Sequence, residues 1–178
     1  MTRCIINLAV LRDYFAHRLN TADLCPSSPE STLVRDSDDD ETTATATLLA
    51  FRECCLRAES EHRPLFDSYL DKMVLLGKED TAEEESRAHL GRRSRSLLKG
   101  VRELAERVFE DGRVNWGRIC IVCSFGAYVA FRYACGKAGG EAERASRLAC
   151  KLLEWLALFV TCRLGIWIEC NGGWVSPY

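Results

Sequence analysis

The segment from Ile119 to Tyr133, ICIVCSFGAYVAFRY, constrains this 178-residue chain more than any other, because it carries a single charge, Arg132. It is too short and too interrupted to span a bilayer, which takes about 20 apolar residues. A helix that is apolar all round needs neighbours on every side, so it belongs at the centre of a bundle. Flanking segments can supply those neighbours. Ile5, Leu8, Leu11, Phe15 and Leu19 fall within about a third of a turn at 100° per residue, with Val10 and Tyr14 on another side. Leu97, Val101, Leu104 and Val108, flanked by Leu98, Ala105 and Phe109, line a second helix that Asp111-Gly112 should end. Gly136 to Gly140 reads as a turn. Leu148, Leu152, Trp155, Leu156 and Phe159 mark a helix from Glu141 to about Cys162. A last short helix should run from Arg163 to a stop at Asn171-Gly172-Gly173. No stretch alternates like a strand. The expected class is all-α, about seven helices around one central apolar helix.

The stretch 20–47 differs in character. It has no aromatic residue, holds Pro26 and Pro29, and includes the acidic run Asp36-Ser37-Asp38-Asp39-Asp40-Glu41. Such a segment buries too little apolar surface to offset its ordering entropy and is expected to be a long mobile loop. The acidic run lacks the Gly and Glu that a calcium loop needs. Leu48 to Arg63 reads as helix, and Pro64 should open a new segment, since proline fits a first turn better than a helix interior. Lys78 to Ser96 is highly charged, a short helix plus connection. Residues 1–178 then form a single domain.

The charge balance, 24 Lys+Arg against 26 Asp+Glu, excludes a strongly basic nucleic-acid binder. The ten cysteines call for either a disulfide scaffold, a metal or packing. No signal peptide or Asn-x-Ser/Thr site is present, which points to an intracellular chain with reduced thiols. Cys120-x-x-Cys123 has no second pair, and His17, His62 and His89 follow no ligand spacing, so no metal or cofactor is expected. Cys120 and Cys123 lie in the apolar run, where a thiol acts as a small hydrophobe; packing thiols are the expectation. A cysteine-dependent enzyme using Cys54 or Cys55 lacks any supporting His/Asp constellation, and the chain is not expected to be an enzyme.

Two local constellations carry more information. The first is Phe109-Glu110-Asp111-Gly112-Arg113-Val114-Asn115-Trp116-Gly117-Arg118-Ile119, in which Asn115 is a good N-cap for the central helix. The second is Trp167-Ile168-Glu169-Cys170-Asn171-Gly172-Gly173-Trp174. In this order and separation they resemble the first and second homology motifs of the Bcl-2 family of apoptosis regulators. Leu11-Arg12-Asp13-Tyr14-Phe15-Ala16-His17-Arg18 and His62-Arg63-Pro64-Leu65-Phe66-Asp67-Ser68-Tyr69-Leu70 resemble the subgroup of the avian survival protein and Bcl-B. The cysteine richness would suit a virus-encoded copy.

The resemblance implies a Bcl-2-like bundle and an anti-apoptotic protein that binds the BH3 helices of pro-apoptotic relatives, Bax-like and BH3-only, in a hydrophobic groove. That would block permeabilisation of the mitochondrial outer membrane, placing the protein there and in the cytoplasm. Arg118 would pair with the aspartate of the incoming helix in two-pronged fashion. Asn115 would assist by hydrogen bonding and Gly117 by allowing close approach. Phe66, Tyr69, Leu104, Val108 and Phe125 would line the groove, with His62 beside them; ordinary core is the competing reading for these. Phe51-Arg52-Glu53-Cys54-Cys55-Leu56 aligns with the family's own BH3 segment, with Cys55 for the usual Gly and Leu56 for the usual Asp. That departure favours a survival protein over a death ligand. A pore-forming pro-apoptotic relative is the alternative. Relatives commonly continue into an apolar membrane tail, so membrane association rests on kinship alone.

Overall fold

The computed structural model describes residues 2–20, 38–79, 86–135 and 139–175, and within them every regular element is helical. Helix α1 spans Thr2–Asn20, α2 Asp38–Glu79, α3 Ser86–Val108, α4 Trp116–Ala134 and α5 Gly140–Phe159. A π-helical turn, Val160–Leu164, leads into the short α6, Gly165–Cys170, and a 3-10 turn, Gly173–Val175, follows.

The apolar run forms α4 and occupies the centre, touching α1, α2, α3 and α5. Phe125, Ala127, Tyr128, Val129 and Ala130 on α4 are fully buried. Leu11 and Phe15 of α1, Leu97 and Val101 of α3, and Leu148, Leu152 and Leu156 of α5, members of the stripes read from periodicity, pack around them, and Tyr14 joins from the other side of α1. Gly126 lets α5 approach closely: a Cβ there would lie 2.5 Å from Leu156 Cδ1. Beside this apolar core lies a buried ion pair. Arg18 donates from Nε and Nη2 to the two carboxylate oxygens of Glu59, at 2.8 and 2.7 Å, with its guanidinium 3.6 Å from the Phe131 ring centroid. At the edge of the core, the Tyr128 hydroxyl donates to Asp67, which Arg132 also approaches at 3.8 Å. Burial and that bond push the Tyr128 hydroxyl up to about 12.

Several boundaries differ from expectation. Helix α2 runs through Pro64 without a break. Glu59 and Phe66, on either side of the proline, are both buried, against α1 and α4 respectively, and that packing overrides its local preference. Residues 38–47, expected within the loop, are the first turns of α2. The rest of the expected loop, 21–37, lies outside the described residues. Helix α3 starts eleven residues before Leu97, at Ser86, so most of the charged stretch is helical. The cysteines also divide: Cys55, Cys120 and Cys123 are buried, but Cys135, Cys150, Cys162 and Cys170 are exposed, so packing accounts for only part of the set. Cys150 and Cys162 are exposed on helical segments that also meet the core, Cys135 follows the end of α4, and Cys170 ends α6. No helix among the described residues is long and apolar enough to cross a membrane.

Candidate functional site

Helix α3 ends where the sequence expects. The Gly112 N–H donates to the Phe109 carbonyl at 3.1 Å, and Gly112 adopts φ +70°, a conformation natural to glycine. The chain then turns extended through Asn115, at φ −153° and ψ 164°, whose Oδ1 accepts the Arg118 backbone N–H at 2.9 Å and caps α4. This turn folds Asp111 back over the first turn of α4. Arg118 donates from Nη2 to Asp111 Oδ2 at 2.9 Å and from Nη1 to both the other carboxylate oxygen and the Arg113 carbonyl, the latter at 2.8 Å. The guanidinium hydrogen bonds, then the Arg113 backbone N–H, hold the Asp111 carboxyl at about 2, while Asp111 raises Arg118 above its ordinary value. The side chains remain 30% and 45% exposed, at the rim of the molecule. The sequence expectation had Arg118 awaiting a carboxylate; in the structure its fork is already engaged by one from its own chain. The spacing of Asp111 and Arg118 across a glycine turn was the available signal.

Next to this rim, a cavity of about 320 Å³ opens between α2 and the start of α4. On α2 its wall is one helical stripe, Phe51, Cys54, Ala58 and His62. On α4 it is the matching stripe Trp116, Gly117, Cys120 and Ile121, and Trp174 closes one end. Arg57 and Glu61 stand among the lining residues as a charged pair, 4.0 Å apart. The Trp174 ring meets Phe51 edge-on at 5.0 Å and Trp116 at 5.4 Å, and Trp116 meets Trp167 at 5.6 Å. The tryptophans of the two sequence motifs therefore form one cluster.

The nine residues singled out from the sequence divide into four places. His62 and Gly117 line the cavity. Asn115 and Arg118 build the rim at the α4 start. Phe66, Tyr69 and Phe125 form an aromatic group, with centroids 5.0 Å apart for Phe66–Phe125 and 6.4 Å for Tyr69–Phe125; Phe66 and Phe125 are buried, Tyr69 partly so. Leu104 and Val108 are half-buried on α3, against the core. The sequence reading missed Phe51, Cys54, Ala58, Cys120, Ile121 and Trp174 as cavity residues. The i, i+3/i+4 stripe on α2 could have found the first three. Among the described residues, no group of three His, Cys, Asp or Glu side chains could hold a metal.

Chemically, the arrangement is an apolar slot with a guanidinium fork beside it. A sequence profile described as apoptosis regulator proteins of the Bcl-2 family matches residues 51–174, which include every cavity residue. The chain is 30% identical to anti-apoptotic protein NR13 of Gallus gallus over 165 residues, 93% of this chain and 70% of that protein. It is 36% identical to Bcl-2-related protein A1 of Bos taurus over 77 residues, 43% of this chain and 41% of that one. Its fold is similar to that of chicken BOK, at 16% identity and a TM-score of 0.64 over 97% of this chain and 92% of that one. It is similar also to Trichoplax adhaerens trBcl-2L2 bound to trBak BH3, at 16% identity and a TM-score of 0.62 over 97% and 94%. The zebra-fish pro-survival protein NRZ in complex with Bad BH3 matches at 19% identity and a TM-score of 0.57 over 97% and 91%. With the profile covering most of its length and a relative at 30% identity along nearly all of it, this all-helical chain belongs to the Bcl-2 family.

Proposed function

We propose that this chain is a survival-type regulator that captures the BH3 helix of pro-apoptotic relatives and thereby blocks permeabilisation of the mitochondrial outer membrane. The observation that carries the reading is the apolar cavity lined by Gly117 and bordered in sequence by the Arg118 fork. An amphipathic helix offers apolar anchors for such a slot and an acidic residue for such a fork. Support comes from the NR13 relative, named anti-apoptotic, and from two neighbours of like fold whose structures hold BH3 segments of Bak and Bad. Leu56 at the usual aspartate position of the chain's own BH3-like segment also favours a receptor over a ligand.

In this mechanism apolar residues of the incoming helix enter between α2 and α4, and its carboxylate takes the Arg118 fork. Binding is capture, with no covalent step. The test is calorimetry with a panel of BH3 peptides from Bax-like and BH3-only proteins, alongside Arg118→Ala. Binding in the wild type and at least about tenfold weaker binding in the variant are expected, the scale of a broken charge pair at a rim. Equal affinity with an intact fold would sink the reading. A liposome-leakage assay on the same protein separates capture from the pore-forming alternative: leakage induced by this chain alone would favour pore formation.

A further inference from the structure

Leu158 and Ile166 are 57% and 75% exposed, and Ile166 is the most exposed large apolar side chain among the described residues. They stand four residues before and four after Cys162, whose thiol is also exposed. The chain stays helical from α5 through the π turn into α6. On an α-helix a row spaced i, i+4 drifts sideways. The longer repeat of the π turn offsets that drift, so the three side chains share one face. Lys151 and Arg163 border the row, as do Glu154 and Glu169, so its charges balance and give an anionic lipid surface no net pull. Arg163 is in addition drawn towards Glu106 of α3, 3.5 Å away. None of the three residues lines the α2–α4 cavity.

We propose that a second copy of this chain docks antiparallel on this row, about a two-fold axis that passes between the two Cys162 thiols. The row reads the same in both directions from Cys162, and such a face is complementary to itself under a two-fold rotation. Leu158 of one copy then meets Ile166 of the other on each side of the axis. The same register sets Arg163 opposite Thr161, Glu169 opposite Trp155 and Glu154 opposite Cys170, so no charge stands opposite its like. A parallel pairing would stack every charge on itself. Helices packed about 8–10 Å apart, with Cα atoms about 2.3 Å from each axis, leave about 3.5–5.5 Å between Cα atoms on the contact line. That range overlaps the spacing of about 4.4–6.8 Å that a disulfide spans. Two apolar side chains per copy bury far less than the about 1,200 Å² of a stable interface, so the reduced pair is short-lived. Hydrogen peroxide makes it lasting: the two thiols give up two protons and two electrons, one S–S bond forms, the O–O bond breaks and two waters leave.

The experiment follows the full chain in reducing buffer by sedimentation velocity across a concentration series. A concentration-dependent monomer–dimer equilibrium is expected, weakened at least about tenfold in Leu158→Lys and in Ile166→Glu. Both changes fall on exposed side chains, and circular dichroism checks each fold. The double variant Leu158→Lys/Ile166→Glu should regain association, because the antiparallel register sets the new cation of one copy against the new carboxylate of the other. Stoichiometric hydrogen peroxide should then give a dimer on non-reducing gels, linked Cys162 to Cys162 by tandem mass spectrometry. Cys162→Ser should lose that link and keep the reversible association. A chain that stays monomeric at every concentration, a double variant no better than the single ones, or a disulfide formed through Cys135, Cys150 or Cys170 instead would overturn the proposal. Binding of a monomeric chain to phosphatidylcholine vesicles, abolished by Ile166→Glu, would give the row to lipid and overturn it too. Helix capture uses other residues and no peptide enters this measurement, so either reading can fail alone.

Discussion

Asp111 and Arg118 close a two-pronged ion pair across the Gly112 turn, with Arg118 Nη2 2.9 Å from Asp111 Oδ2. A carboxylate arriving on a bound helix must displace Asp111 or share the fork with it. Asp111→Asn removes the competing charge while keeping the side-chain shape. Tighter binding of an acidic helix to this variant than to wild type is expected, read by fluorescence anisotropy. Equal or weaker binding would show that Asp111 positions Arg118 rather than competing for it.

The same pair fixes a pH window. Asp111 titrates at about 2 when folded, against its ordinary 3.8, so its folded value is depressed. A depressed carboxyl contributes stability that is fully present above the ordinary value and is lost as pH falls through the folded one. The fork should therefore stay closed at pH 4 and open only near the folded value of about 2. Following the Asp111 carboxyl carbon by NMR checks this, with the midpoint returning towards the ordinary value in Arg118→Ala.

Pro64 lies inside α2 and is exposed, so the Ser60 carbonyl has no i+4 backbone donor. Pro64→Ala restores that donor and removes the ring clash. A gain of about 1–3 kcal/mol is expected, from the helix-interior difference between the two residues. Urea denaturation measures it, and an unchanged midpoint would mean that α2 bends productively at this point.

The Arg18–Glu59 pair is buried and bidentate, packed on Phe131. Glu59→Ala strips the guanidinium of its carboxylate inside the protein and should cost about 3 kcal/mol. The double change Arg18→Met/Glu59→Leu fills the space with apolar groups and should lie close to wild type. A double variant as weak as Glu59→Ala would show that the pair itself, not the orphaned charge, matters.

How far the sequence could be read depended on whether each feature was local. The central helix was legible because Ile119–Tyr133 is apolar on every side, and its start because Asn115 is a cap by its own chemistry. The α3 stop at Asp111-Gly112 was legible for the same reason. Pro64 was misread because burial on both sides of it, at Glu59 and Phe66, outweighs a local preference. The candidate site was half legible: His62, Gly117, Asn115 and Arg118 stand at the cavity or its rim. Phe51 and Cys54 were passed over as cavity residues because Trp174, distant in sequence, makes a wall of them. Asp111 was passed over although its spacing to Arg118 across the Gly112 turn stands in the sequence; the folded turn shows the two side chains meeting.

Trp174 touches Phe51 and Trp116, so one end of the cavity depends on a residue near the finish of the described chain meeting one near the start of the family match. The core helices pack on one another without it, since α1, α2, α3 and α5 all meet α4 directly. Removing the Trp174 ring would therefore leave the central bundle in place yet turn the slot into an open trough at that end.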